Sequence, residues 1–167
     1  KHPSADIRQT ARNALAKRGA ASMTTKILSN ASVSSAIRIE SALTLLDAAS
    51  EQKLALRFLA KNGDHQHWGQ ILPYLGKLKL QEKRDVLEHA LKNQNQKVVG
   101  DALTRFSGHA DLESLKRVLA FEPEDEQIKT AQTNTIGRIC EQLDTKVLLK
   151  QAQTTDLRLK GCAINTL

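Results

Sequence analysis

Aromatic side chains are scarce: among 167 residues there are one Trp, one Tyr and three Phe. A core built on large rings is thereby excluded. The apolar 40% of the chain, mostly Leu, Ala, Ile and Val, has to be buried by aliphatic packing and close contacts between elements. Breakers are equally few, with 3 Pro and 8 Gly, and the alternation of β-branched and aromatic residues that marks half-buried strands is lacking. Ala, Leu, Lys, Gln and Glu dominate instead, all strong helix formers. The composition predicts an all-α fold.

Long apolar runs are also missing. The longest, such as residues 42–46, fall far short of the roughly 18 residues needed to cross a bilayer, so no transmembrane segment is expected. No basic-then-apolar leader opens the chain, which begins at Lys1 without an initiator Met. Cys140 and Cys162 are too few for a disulfide framework and lack metal-type spacing. They read as two small buried hydrophobes in a reducing compartment, which gives a cytoplasmic location.

What is present is a repeat. An aliphatic residue followed by a basic one, with a small residue four positions on and a large apolar residue eight on, recurs along the chain. The first copy is Ile7-Arg8 with Ala11 and Leu15, and the second is Ile37-Arg38 with Ser41 and Leu45. Later copies are Val98 with Ala102 and Phe106, Ile128-Lys129 with Gln132 and Ile136, and Leu157-Arg158 with Gly161. Anchors at 7, 37, 98, 128 and 157 leave one double gap, filled by a degenerate copy around His67, Trp68, Ile71, Leu72 and Tyr74. Six units of about 30 residues result.

Within a unit, positions 0, +4, +7 and +8 share one helix face, and the small +4 residue admits a neighbouring helix closely. Shorter amphipathic segments at 24–30, 51–62, 81–92, 112–120 and 145–152 lie between the anchored helices, so each unit is predicted to be a helical hairpin. Gly19, Gly63, Gly108 and the Glu122-Pro123 step sit where turns are needed, glycine as a left-handed C-cap and proline as the opening of the next helix. Glu124, Asp125 and Glu126 place negative charge in the first turn of the anchored helix that follows.

Asp6-Ile7-Arg8 with Ala11 and Leu15, and Asp156-Leu157-Arg158 with Gly161, resemble the Asp-Val-Arg signature in the second helix of HEAT repeats, especially the short kind of about 30 residues found in phycobilin lyases. The resemblance implies a right-handed α-solenoid of about six hairpins across residues 1–167, with Asp and Arg forming ladders between consecutive repeats. Here the Asp occurs in two copies and the basic residue in four, at Arg8, Arg38, Lys129 and Arg158. The chain opens and closes on anchored helices without polar caps, so a single solenoid domain that is a fragment of a longer protein is expected. An uncapped C-terminal helix, with Leu157, Leu159, Ala163, Ile164 and Leu167, is then predicted to self-associate or to fray over 160–167.

Catalytic patterns are wanting: no Gly-x-Ser-x-Gly elbow, no phosphate-cradling glycine loop and no activated cysteine. Asp64, His65 and His67 are the one cluster of ligand-type residues, but no Cys or third His follows at a useful distance, and they read as a polar loop. No enzyme activity, metal or cofactor is expected. Helical-repeat arrays serve many unrelated roles, so function has to come from a surface.

Charge is uneven: residues 1–100 hold 16 Lys and Arg against 8 Asp and Glu, and 101–167 hold 9 against 10. Arg12, Arg18, Lys77, Lys79, Lys83 and Arg84 are candidate contacts to a polyanion. Alkylpurine DNA glycosylases, which share the HEAT-like architecture, bind duplex DNA on a basic concave face, but their catalytic Asp has no recognisable counterpart here. The face opposite the anchors, at about +2, +5 and +6, gives Gln9, Arg12 and Asn13, then Ile39, Ala42 and Leu43, then Leu103 and Thr104, then Thr133 and Asn134, and finally Cys162 and Ala163. Only Arg12 is charged, which favours a protein or peptide ligand over a phosphate backbone. The expected function is therefore a protein-interaction or scaffolding module with Ile39, Leu43, Leu103 and Thr104 as contact residues. The alternative is nucleic-acid binding by the basic residues.

Overall fold

The computed structural model describes residues 21–48 and 50–166. Among them there are ten helices and no strand: α1 Ala21–Ser29, α2 Ser35–Leu45, α3 Gln52–Asn62, α4 His65–Leu75, α5 Leu80–Leu91, α6 Gln96–Ser107, α7 Leu112–Ala120, α8 Glu126–Gln142, α9 Thr145–Ala152 and α10 Leu157–Thr166. The all-helical class expected from composition is what forms, and the five shorter segments fall within a few residues of α1, α3, α5, α7 and α9. The first repeat copy, with Ile7, Arg8, Ala11 and Leu15, together with Gly19, Arg12 and Arg18, lies outside the described residues.

The helices start where short acidic or amide side chains stop the chain from continuing helically backwards. Asp64 accepts from the His67 amide at 2.9 Å, Asn95 from Lys97 at 3.0 Å, and Asp111 from Ser114 at 2.8 Å. Asp125 takes the amides of Gln127 and Ile128, Asp144 takes that of Lys146, and Asp156 takes those of Arg158 and Leu159. Each satisfies backbone donors that the first helical turn leaves orphaned. Asp64, Asn95, Asp125 and Asp156 cap α4, α6, α8 and α10 in this way, and Ser34, which makes no side-chain cap bond, precedes α2; the five stand at intervals of 30 or 31 residues. Measured from this frame, the third position holds Val98, Ile128 and Leu159, all buried, in the last three units, and Ile37 and His67, which are not, in the two before them. Leu157, the anchor expected for the last copy, is two positions out of register and 80% exposed.

The expected left-handed glycine caps are not used. Gly63 and Gly108 both have φ near −77°, at −77° and −76°. Gly63 is needed for space instead. A Cβ there would lie 2.6 Å from the Leu59 carbonyl oxygen and 2.8 Å from the His67 Cβ. Pro123 stands two residues ahead of the Asp125 cap, not at the first helical position.

The chain divides into two compact units, residues 1–89 and 90–167, with the division inside α5. In the first, successive helices α1 to α4 pack on one another around Leu45, Leu56, Leu59, Trp68 and Ile71, all essentially inaccessible. Arg57 of α3 binds Asp85 of α5 at 2.8 Å, and Lys53 one turn earlier pairs with Glu82. The Lys53 pairing holds the Glu82 carboxyl below its usual range. Tyr74 donates to Asp47 at 3.0 Å; loss of hydration on burial, followed by that hydrogen bond, raises the phenol above its ordinary pKa.

In the second unit α6 packs on α8, α8 on α10, and α7 on α6, α8 and α10. Two side chains from different helices close the open end of α7. Gln132 donates from Nε2 to the Val118 and Phe121 carbonyls at 2.7 and 2.6 Å, and Arg158 donates to the Leu119 carbonyl at 2.7 Å and to Glu122 at 3.1 Å. That explains the polar Gln132 in a slot expected to be small, and cationic Arg158 sits where the C-terminal dipole favours it.

Candidate functional site

Polar contacts at both ends fix how α6 and α8 lie. Gln96, at the start of α6, donates to the Asp125 cap of α8 at 2.9 Å, and Gln142, at the end of α8, donates to the Ser107 carbonyl at the end of α6 at 3.4 Å. Start meets start and end meets end, so the two helices run parallel, with α8, at 17 residues, longer than α6, at 12. The fifth and ninth positions after each cap are then Gly100 and Thr104 on α6, Thr130 and Asn134 on α8, and Gly161 and Asn165 on α10.

None of these six side chains is charged or large. Thr104, Thr130, Asn134 and Asn165 are exposed, and Gly100 and Gly161 are half-buried. Nothing lies within 4 Å of where a Cβ would stand on Gly100 or Gly161, nor on Gly137 further along α8. Thr104 and Thr130 spend their hydroxyl protons on their own helices, bonding the Gly100 and Glu126 carbonyls at 3.0 and 2.9 Å, as Thr133 does to Lys129 at 3.0 Å. Arg105 pairs with Asp101, Lys129 with Glu126 and Arg158 with Glu122, while exposed Lys97, Arg138 and Lys160 stand within four residues of these positions along their helices. The six positions are uncharged, their threonine hydroxyls are used within their own helices, and there is room in front of the glycines.

Of the four contact residues read from the sequence, Thr104 alone is exposed. Leu103 is completely buried and Leu43 is 8% exposed, so both are core residues, while Ile39 is half-buried. The reason is the width of the apolar stripe. In α6, Val98, Val99, Ala102, Leu103 and Phe106 are all buried, pairs of adjacent residues that move the open side to Gly100 and Thr104. In α2 the buried residues are Ala42, Leu43, Thr44 and Leu45, and the expected anchor Ile37 is 49% exposed. Thr133 and Asn134 stand on the open face as expected, and Ala163 does not.

The basic set is also changed. Arg84 is 8% exposed, and its Nη1 donates to Gln81 at 3.3 Å. Lys77 and Lys79 are exposed and Lys83 half-buried, with the Lys77 ammonium 5.9 Å from the Tyr74 ring centre. Arg12 and Arg18 lie outside the described residues. Arg38, a basic residue of the repeat, stands over the Phe58 ring at 5.7 Å with its Nε buried and without a hydrogen-bond partner.

The Asp64–His67 pair is a capping box. Asp64 accepts the His67 amide, and its own amide donates to His67 Nδ1 at 3.3 Å. The hydrogen bond from the His67 amide holds the Asp64 carboxyl below its usual range. No group of three or more His, Cys, Asp or Glu among the described residues is arranged to hold a metal ion.

Cys140 and Cys162 are joined in a disulfide, where the sequence reading had two reduced thiols. They are 22 residues apart, but α8 and α10 pack together and bring their Cα atoms to 6.4 Å, within bridging range. Among the described residues no helix is long and apolar enough to cross a membrane.

No protein-family model matches the chain, and no curated protein or solved structure matches it significantly. The site therefore rests on its own geometry.

Proposed function

We propose that the chain is a helical-repeat module of HEAT-like type that binds a protein or peptide along the second helices of its hairpins. The supporting observation is the repeated uncharged face of Gly100 and Thr104, Thr130 and Asn134, and Gly161 and Asn165. Glycine inside a helix costs about 1 kcal/mol relative to alanine, and at Gly100 and Gly161 no internal contact offsets that cost. Close approach of another chain would. An uncharged surface with its threonine donors already used suits apolar and van der Waals contact, whereas a phosphate backbone calls for Lys and Arg.

The solenoid arrangement belongs to this proposal. Its support is the cap interval of 30 or 31 residues and the parallel course of α6 and α8. No catalytic role is assigned, because the polar clusters have structural work: Asp64 and His67 cap a helix, and Gln132 and Arg158 close another.

Selection of peptides from a random displayed library, followed by Thr104→Arg and Asn134→Arg substitutions, tests the reading. Both positions are exposed, so the fold should persist while peptide binding falls at least tenfold. Binding that ignores both substitutions would remove the face from consideration, and binding lost on Lys77→Ala, Lys79→Ala and Lys83→Ala would favour the basic turn between α4 and α5.

A further inference from the structure

We infer that the Cys140–Cys162 bond is a thiol-sensitive latch that holds α10 on α8, so that a small thiol reductant releases the C-terminal helix while α6 and α8 stay folded. The inference starts from what else holds α10: it packs most on α9, its hairpin partner, and less on α8 and α7. Its buried residues are Leu159 and Ala163, and two other large apolar side chains, Leu157 and Ile164, are exposed. It is ten residues long, below the roughly 12–15 at which isolated helices become even marginal in water, and Gly161 in its middle lowers its propensity further. Beyond these contacts, Arg158 supplies hydrogen bonds near the start of the helix, to the Leu119 carbonyl and Glu122. The disulfide is the covalent cross-link between α10 and α8.

The two ends of the bond differ. Cys140 is 2% exposed, beside the core residue Ile139 near the end of α8, whereas Cys162 is half-buried on α10. A thiolate from solution reaches Cys162 more easily. Its attack on the Cys162 sulfur forms a mixed disulfide and expels the Cys140 thiolate, which takes a proton. A second small thiolate then attacks the outer sulfur, releasing the Cys162 thiolate, which is protonated in turn. Two small thiols become one small disulfide, and the protein disulfide becomes two thiols. With the loop open, α10 keeps its packing on α9, its buried Leu159 and Ala163 and the Arg158 bonds, and its hold on α8 loses the covalent tie. The helices α6, α7 and α8 retain Val98, Leu103, Phe106, Leu115, Val118, Ile128 and Ile139 in their core.

Release also has a consequence for binding that rests on the proposed function, because α10 contributes Gly161 and Asn165 to the open face. The latch itself is tested without reference to that reading. Hydrogen exchange is measured on the full 167-residue chain prepared without reductant, on the same chain in dithiothreitol, and on Cys162→Ala without reductant. Removing a cross-link of this loop size should speed exchange over residues 159–166 by about 30- to 1,000-fold. Protection in α6 and α8 should be unchanged, and Cys162→Ala should match the reduced chain. The inference is overturned if both cysteines are alkylated in the untreated, folded chain, if α10 exchange does not respond to reduction, or if α6 and α8 open to the same degree. Binding of a selected peptide is followed in parallel: absence of binding before and after reduction counts against the docking face and leaves the exchange result to decide the latch.

Discussion

Replacing Gly100 with alanine should stabilise the protein, and replacing Gly63 with alanine should destabilise it. Gly100 is in the interior of α6, where glycine costs about 0.8–1.0 kcal/mol relative to alanine, and an added Cβ meets nothing within 4 Å. The full propensity gain of about 1 kcal/mol is therefore available, a rise of roughly 4–8 °C in midpoint for a unit of this size. At Gly63 the same methyl meets the Leu59 carbonyl oxygen at 2.6 Å and the His67 Cβ at 2.8 Å. Neither is the far end of a flexible side chain, and Gly63 also donates its amide to that carbonyl at 2.8 Å. Relief has to move α3 or the start of α4, at about 1–3 kcal/mol, the usual scale for overpacking. Urea denaturation of both variants beside the parent, read at the midpoint with slopes compared, measures each effect. A Gly100→Ala variant less stable than the parent would show that something in the folded chain occupies the space in front of that glycine, and the argument for an open face would fail with it.

Other substitutions separate core from surface. Leu103→Asp buries a carboxylate in a fully enclosed site and should unfold its unit, while Thr104→Arg next to it should change stability by less than about 0.5 kcal/mol; circular dichroism melts of the two compare them directly. Asp125→Ala removes the acceptor for Gln127, Ile128 and Gln96 and should cost about 1–2 kcal/mol, with Asp125→Asn recovering most of it. The Asp64 carboxyl is held below its ordinary value, so its contribution is present above the unfolded pKa and is lost as pH falls through the lower folded one. Stability measured from pH 5 downward should therefore fall less steeply in Asp64→Asn than in the parent, and identical slopes would contradict the capping geometry.

Much of the helical plan was legible in the sequence because it is local. The segment 145–152 matches α9 at both ends, and 112–120 matches α7, since apolar spacing and starting Asp residues are contained in each stretch. The face was legible only in part, because it depends on the phase of each helix against its neighbours. Reading Leu157 as an anchor put α10 two residues out of register, and the core residue is Leu159. A better ruler was present in Ser34, Asp64, Asn95, Asp125 and Asp156, from three of which Gly100, Thr130 and Gly161 stand at the same distance. Searching for an Asp-x-Arg pattern found only the last of these five. The roles of Gln132 and Arg158 were invisible for a different reason. Their partners, the last carbonyls of α7, are 11 to 39 residues away in sequence, and nothing in a side chain's identity announces an acceptor so distant. The disulfide was missed likewise, since a spacing of 22 becomes bonding distance only once α10 packs on α8.

The central claim is that the uncharged row on α6, α8 and α10 is a binding surface for a protein or peptide. Its most direct measurement is a titration of the intact chain with a library-selected peptide and, separately, with random-sequence duplex, each at about 50 and 200 mM salt. Peptide binding should change less than about threefold over that range and be lost in Thr104→Arg and Asn134→Arg, and duplex binding should be undetectable. Duplex binding whose affinity falls by orders of magnitude between the two salt concentrations, abolished by Lys77→Ala, Lys79→Ala and Lys83→Ala and indifferent to Thr104→Arg, would contradict the account.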